Sequence, residues 1–268
     1  MYVGGGRGCR AAATNSPPSP FSVVRHFFGY AAQGYTGPLS VKQQIRLVQG
    51  RHVHLNMIRV GGENFTAAND QAIDQALETM RGIYATVGLG VGRVLRFSIP
   101  EADANESFVF QSIMIHDIVA EFLTNSWTVH NNGMDIFLVL QFDPILGGVI
   151  GRSAVGGPCD KDDTCVMTGG VVSLEGGALT TAWVLAHEAG HYLGLPHVMN
   201  LSAEAVDIDQ NGVIDPLIPA SAVGNLMFPV FQGVDIDLNG VLDTIVSSAL
   251  TTGQGAQMMI HCFSRPGC

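Results

Sequence analysis

The chain has 268 residues, 47% of them apolar and 33 of them glycine, which is enough material for a buried core in a fold rich in turns. Its formal net charge is −10 and only 13% of its residues are charged. This argues against nucleic acid or an anionic membrane surface as partner, since both attract basic patches, and suits a protein that binds cations.

Residues 1–38 read as a flexible leader, glycine-rich at first and then carrying Ser16-Pro17-Pro18-Ser19-Pro20, with few residues able to pack. Met1 to Cys9 lacks the apolar centre of a signal peptide, and no apolar run of the chain reaches the roughly eighteen residues of a transmembrane helix. A folded domain is expected over 39–268. Arg51 to Val60 alternates well enough for a first strand. Thr66 to Val87 carries Ile73, Leu77, Met80 and Ile83 at helical spacing. Val91 to Ile99 and Asp135 to Phe142 are β-rich, the second nearly continuously apolar, as expected of a strand covered on both faces. Ser107 to Trp127 between them reads as an amphipathic helix, and Gly170 to Leu174 as the last strand before a further helix.

That further helix carries the chemistry. His187-Glu188-Ala189-Gly190-His191-Tyr192-Leu193-Gly194-Leu195-Pro196-His197 reads H-E-x-x-H-x-x-G-x-x-H. His187 and His191 stand four residues apart, on one helical face and one turn from each other, so both reach one metal. A straight helix would carry the next side chains away. Gly194 can take the left-handed conformation that ends a helix, and His197 swings back as third ligand. Zinc held by three neutral imidazoles keeps a fourth position for water, whose pKa falls to roughly 7. Glu188 is the natural general base for that water.

Two acidic loops follow. Asp207, Asp209, Asn211 and Asp215, and then Asp235, Asp237, Asn239 and Asp243, share the pattern D-x-D-x-N-G-x-x-D with a repeat of 28 residues. Converging carboxylates and an amide suit a hard cation, so up to two structural calcium ions are expected, with solvated Asp/Asn turns as the alternative. The twelfth loop positions are Ile218 and Val246, so the bidentate glutamate of an EF-hand is missing. Asp160, Asp162 and Asp163 read as a solvated loop. His52, His54, His116, His130 and His261 lack ligand spacing with any partner and read as surface or core residues. Cys159 and Cys165, like Cys262 and Cys268, bracket five residues each; of the three possible connectivities the two local loops are favoured, with Cys9 left over.

The extended zinc motif resembles that of the metzincin metallopeptidases, in which it is followed by a methionine-containing turn beneath the metal. Asn225-Leu226-Met227-Phe228-Pro229, thirty residues past His197, is the counterpart. Within that clan the His191 to His197 segment and the Leu226 to Pro229 turn look matrixin-like, while Leu250 to Met259 resembles a pappalysin helix start. The resemblance implies a mixed α/β (α+β) fold: a twisted mixed sheet with the zinc helix in an upper subdomain (39–197), and a smaller irregular lower subdomain (198–268) closed by a helix near 252–262. The helix over Ser107 to Trp127 has no counterpart in the minimal plan and reads as an insertion.

The resemblance also implies site residues. Gly147 to Ala154 would be the edge strand, along which a peptide substrate lies antiparallel, with Gly148, Val149, Ile150 and Gly151 in contact. Pro229, Val230 and Phe231 would wall the pocket just past the cleaved bond, and Met227 would form a floor under the imidazoles. Pro229, two residues after Met227, stands where astacins and serralysins carry a tyrosine. Cys9 lacks the motif by which a matrixin pro-segment caps zinc. The expectation is a secreted zinc endopeptidase acting on protein or peptide substrates. A non-catalytic calcium-dependent binding module and a zinc amidase on a non-protein substrate are the alternatives. Oligomeric state is left open.

Overall fold

The computed structural model describes residues 39–103, 112–113, 117–142, 149–163, 165–198, 224–228, 232–234, 243–244 and 248–267. The elements in chain order are α1 (Val41–Gln49), β1 (Arg51–Val60), α2 (Ala67–Ala85), β2 (Leu89–Ile99), β3 (Ser112–Ile113), α3 (Asp117–Ser126), β4 (Gly133–Val139), β5 (Gln141–Phe142), β6 (Gly151–Arg152), β7 (Gly169–Ser173), α4 (Gly177–Tyr192), β8 (Gln232–Val234), β9 (Asp243–Thr244), α5 (Thr252–Ile260) and β10 (Arg265–Pro266). The expected leader lies outside the described residues.

A mixed sheet organises the molecule. β2, β1, β4 and β7 run parallel in that order, β6 closes the far edge antiparallel to β7, and β10 pairs antiparallel with the first two residues of β1. Alternation within the strands divides their side chains between two cores. Val53, Leu55 and Met57 of β1 and Met134, Ile136 and Leu138 of β4 pack with α2 and α4, whereas Ile58, Val60, Phe137 and Val139 pack with Ala120 and Leu123 of α3 on the opposite face. Burial on both faces is the reason these parallel strands read as continuous apolar runs. The four residues expected to mark the buried stripe of α2, Ile73, Leu77, Met80 and Ile83, all lie in the first core.

A carboxylate enters the sheet, and it is fully paired. Asp135 accepts from Lys161 Nζ at 2.6 Å, from the opposed Asn56 Nδ2 at 2.5 Å and from the Val129 amide at 2.9 Å. Lys161 also donates to the Val129 carbonyl at 2.9 Å. Burial alone raises the Asp135 carboxyl, and Lys161 is the largest influence opposing that rise. The pair anchors the 158–163 loop against the sheet, with the Lys161 ammonium 5.7 Å from the Phe263 ring centroid.

Three expectations are corrected. The helix expected over Ser107 to Trp127 is the shorter α3, because Ser112–Ile113 pair in parallel with Gln141–Phe142. The run Asp135 to Phe142 likewise divides after Val139, its last two residues serving that second small sheet. The cysteines are not joined locally: Cys159 bonds Cys262, and among the described residues Cys165 has no cysteine partner and is exposed. Tertiary neighbours override sequence proximity here. The chain after α5 folds back beside the 158–163 loop, with the His261 ring 3.0 Å from the Gly157 carbonyl and edge-on to Tyr192. Cys268 lies outside the described residues.

The Cys159–Cys262 bond spans 103 residues of sequence, so its reduction, or replacement of both cysteines by alanine, is expected to cost about 3–5 kcal/mol of stability by the chain-entropy relation. Denaturant melts with and without reductant measure this. Mass spectrometry of unreduced peptides should recover the 159 and 262 peptides linked.

Candidate metal centre

Helix α4 has little intrinsic start signal. It begins after Gly176 at φ 82° with no side-chain cap, and packing holds it: residues 181–192 are all buried, and the Tyr84 hydroxyl of α2 donates to the Ala186 carbonyl at 2.8 Å. His187, Glu188 and His191 lie at its C-terminal end, the two imidazoles edge-on with centroids 4.5 Å apart. Gly194, at φ 97°, reverses the chain, and the Leu195 amide returns to the Gly190 carbonyl at 3.0 Å. That reversal brings His197 Nε2 to 3.2 Å from His187 Nε2 and 3.0 Å from His191 Nε2. The structure thus brings the three predicted histidines together around the turn at Gly194. Among the described residues these histidines form the one cluster of three ligand-type side chains able to hold a metal ion.

The protonation pattern fits a cation at their centre. His187 Nδ1 lies 2.7 Å from the Leu226 carbonyl and His191 Nδ1 2.6 Å from the Leu195 carbonyl. A carbonyl only accepts, so each Nδ1 carries the hydrogen and each Nε2 presents a bare lone pair. Burial, joined by the other imidazoles, lowers the His187 pKa to about 3 and that of His191 to about 4, keeping both neutral. A proton on His197 satisfies at most one of its two contacts at a time; a metal satisfies all three nitrogens. Tetrahedral zinc at about 2.0–2.1 Å from each nitrogen sets them about 3.3 Å apart, close to the spacing seen.

Glu188 faces the edge strand. It is buried, and a Cβ on Gly151 of β6 would fall 2.5 Å from its Oε1 and from Val184 Cγ1, so the strand approaches this closely only because residue 151 has no side chain. Burial pushes the Glu188 carboxyl up to about 8 against the opposing charge of Arg152. Arg152 also disfavours protonation of His191 and His197, and sequence reasoning missed it although it directly follows Gly151 in the expected substrate strand. Past β6 the chain caps the zinc helix, the Gly156 and Gly157 amides donating to the His191 and Tyr192 carbonyls at 2.8 and 2.9 Å. The Tyr192 hydroxyl completes the join, its one hydrogen shared between the Pro158 and Thr168 carbonyls at 3.0 and 3.2 Å.

Beneath the helix lies the 224–228 turn. Met227 is fully buried, and a Cβ on Gly190 would lie 3.0 Å from its sulfur, which puts the thioether against the helix between His187 and His191. The Val198 amide donates to the Met227 carbonyl at 3.1 Å, tying the segment after His197 to the same turn.

Of the expected substrate residues, Val149, Ile150 and Gly151 are described, with the Ser173 amide donating to the Ile150 carbonyl at 2.9 Å. Gly148, Pro229, Val230 and Phe231 lie outside the described residues, as do Asp207, Asp209, Asn211, Asp215, Asp235, Asp237 and Asn239. Asp243 pairs opposite Val234 in the β8–β9 ribbon, and its side chain is not described. His52 and His54 are buried in β1, and His130 is exposed beside Asp162 at 3.3 Å, so the structure gathers none of them into the centre.

Residues 65–198, half of the chain and including the whole zinc motif, match the metallo-peptidase family M12B, reprolysin-like. No curated protein matches the chain. The match bears out the metzincin resemblance and selects the reprolysin-like branch, where the motifs alone resembled matrixins and pappalysins.

Because the pKa values of His187 and His191 are lowered from 6.5 to about 3 and about 4, protons compete with a metal at these two nitrogens only at pH values well below those for a free imidazole. Zinc affinity is therefore expected to fall only shallowly between pH 7 and 5, and steeply as pH approaches 4. Competition with a chromophoric chelator across that range checks it. A three-proton loss beginning near pH 6.5 would contradict the assignment.

Proposed function

The chain belongs to the reprolysin-like metallopeptidases of family M12B, and from that premise we propose that it is a zinc endopeptidase hydrolysing internal peptide bonds of protein substrates, with His187, His191 and His197 as zinc ligands and Glu188 as general base. Zinc-dependent protease activity is the property of the family. The observation that carries the finer reading is the convergence of three imidazole nitrogens, with the Nε2 atoms of His187 and His191 both within 3.2 Å of His197 Nε2, beside a buried carboxylate one residue from His187.

When bound, zinc supplies a Lewis acid that polarises a carbonyl oxygen and lowers the pKa of water to about 7. The chain's own residues do the rest. Glu188 takes a proton from the attacking water and returns it to the departing amine. Gly151 and Val149 offer backbone donors and acceptors on the side of β6 that no described strand pairs with, while Ile150 between them turns its carbonyl to Ser173 of β7; an extended peptide adds along that open side as a further antiparallel strand. Arg152 fixes a positive charge beside this path and counters the negative charge that develops as water adds to the peptide carbonyl. Gly194 and Met227 are structural: one turns the chain to His197 and the other fills the space under the ligand pair.

The catalytic unit in this proposal is 39–268, preceded by a leader over 1–38. Proteins and peptides are the partner class, and export to an oxidising compartment is supported by the Cys159–Cys262 bond. The repeat of acidic loops around Asp207 and Asp235 is the support for structural calcium in addition to zinc.

Glu188→Gln keeps the shape of the site and removes the base. Its turnover of a quenched fluorescent peptide library is expected to drop at least about a hundredfold, with stoichiometric zinc retained. Near-native turnover in that variant would remove Glu188 from the mechanism.

A further inference from the structure

We infer that Asn225 and Gln254 are positioning residues for the zinc ligand His187, so that the first turn of helix α5 controls metal affinity from outside the ligand set. This rests on the zinc reading above and adds a role for a part of the fold that the family match, ending at residue 198, does not cover.

The two primary amides clasp each other. Asn225 Nδ2 donates to Gln254 Oε1 at 2.9 Å, and Gln254 Nε2 donates to Asn225 Oδ1 at 3.0 Å. Each oxygen uses its second lone pair on a backbone donor: Gln254 Oε1 accepts from the Thr251 amide at 2.9 Å, and Asn225 Oδ1 from the Met227 amide at 2.9 Å. Both ends of the chain of bonds are therefore backbone N–H groups, which only donate. That leaves one orientation for each side-chain amide, and a flip of either sets donor against donor.

The bond to Met227 acts on the zinc ligand through peptide planarity. The Met227 N–H and the Leu226 carbonyl belong to the same peptide unit, so holding one sets the direction of the other. The Leu226 carbonyl is the acceptor for His187 Nδ1 at 2.7 Å. The Leu226 amide is held separately by the Ala249 carbonyl at 2.8 Å, and the Ala249 amide returns to the Gly224 carbonyl at 3.1 Å. What the Asn225 side chain contributes alone is the rotation of the 226–227 peptide plane. What Gln254 contributes is the orientation of Asn225. The Thr251 hydroxyl accepts from the Gln254 amide at 3.2 Å, so the same residues also cap α5.

Groups that orient metal-bound histidines typically change metal affinity by about 10- to 100-fold when removed. Gln254→Ala, at a partly exposed helix position, and Asn225→Asp, which keeps the Met227 acceptor but sets an oxygen against Gln254 Oε1, test the inference on the full chain. Zinc affinity by chelator competition should weaken by about 10- to 100-fold in each, and the visible spectrum of the cobalt-substituted protein should shift. Thr66→Ala, which removes the equivalent cap from α2, supplies the control: it lowers the melting temperature and leaves both metal readouts unchanged. Unchanged zinc affinity and cobalt spectrum in Gln254→Ala and Asn225→Asp, while His187→Ala abolishes binding, overturns the positioning role alone. If His187→Ala binds zinc as the native chain does, the zinc reading fails and this inference with it.

Discussion

The structure depends on two hydrogen bonds that point imidazoles. The Leu226 and Leu195 carbonyls hold the Nδ1 hydrogens of His187 and His191, and this turns two bare Nε2 lone pairs toward His197. Without them each ring is free to exchange tautomers and to find other partners in a buried setting. With them, three nitrogens are held at a separation that a shared cation satisfies all at once. Each carbonyl in turn depends on a local device: Leu195 on the left-handed Gly194, and Leu226 on the turn whose amides are held by Asn225 and Ala249.

From this constraint the placement of the sheet follows. Helix α4 has little start signal of its own, so its position is fixed by burial against α2 and the β1, β4 and β7 strands. Its end is fixed by the chain leaving β6, whose Gly156 and Gly157 amides take the last helical carbonyls. The edge strand β6, Glu188 and the three histidines thus form one connected unit. Gly151 shows how tight it is, since any side chain there would occupy the place of the Glu188 carboxylate. The buried Asp135–Lys161 pair and the Cys159–Cys262 bond hold the next stretch of chain, which meets the same helix end through the Tyr192 hydroxyl and the Pro158 carbonyl.

Much of this was legible in the sequence. The spacing of His187, Glu188, His191, Gly194 and His197 encodes helix periodicity plus one reversal, and both are local properties of the chain. β1 falls over Arg51–Val60 as its alternation predicts, and α2 carries the expected stripe. The Met227 turn was recognisable from its resemblance, and it lies under Gly190. What could not be read depends on contacts distant in sequence. Cys159 has a nearer cysteine than Cys262, and no local rule favours the distant one. Ser112–Ile113 lies in a helical pattern but pairs with Gln141–Phe142. Asn225 and Gln254 each have ordinary local readings, a turn residue and a helix cap, and their mutual bond appears only when α5 folds back on the turn. Arg152 had no signal beyond following the glycine of the edge strand.

The metal itself offers the most direct test. X-ray absorption on the purified chain, with metal content measured on the same sample, is expected to give one zinc per chain bound by three imidazole nitrogens at about 2.0–2.1 Å, with one further light-atom ligand. Loss of stoichiometric zinc in His191→Ala completes that result. Zinc bound through sulfur, or a native chain that takes up no stoichiometric zinc, would contradict the claim that these three lone pairs form a metal centre.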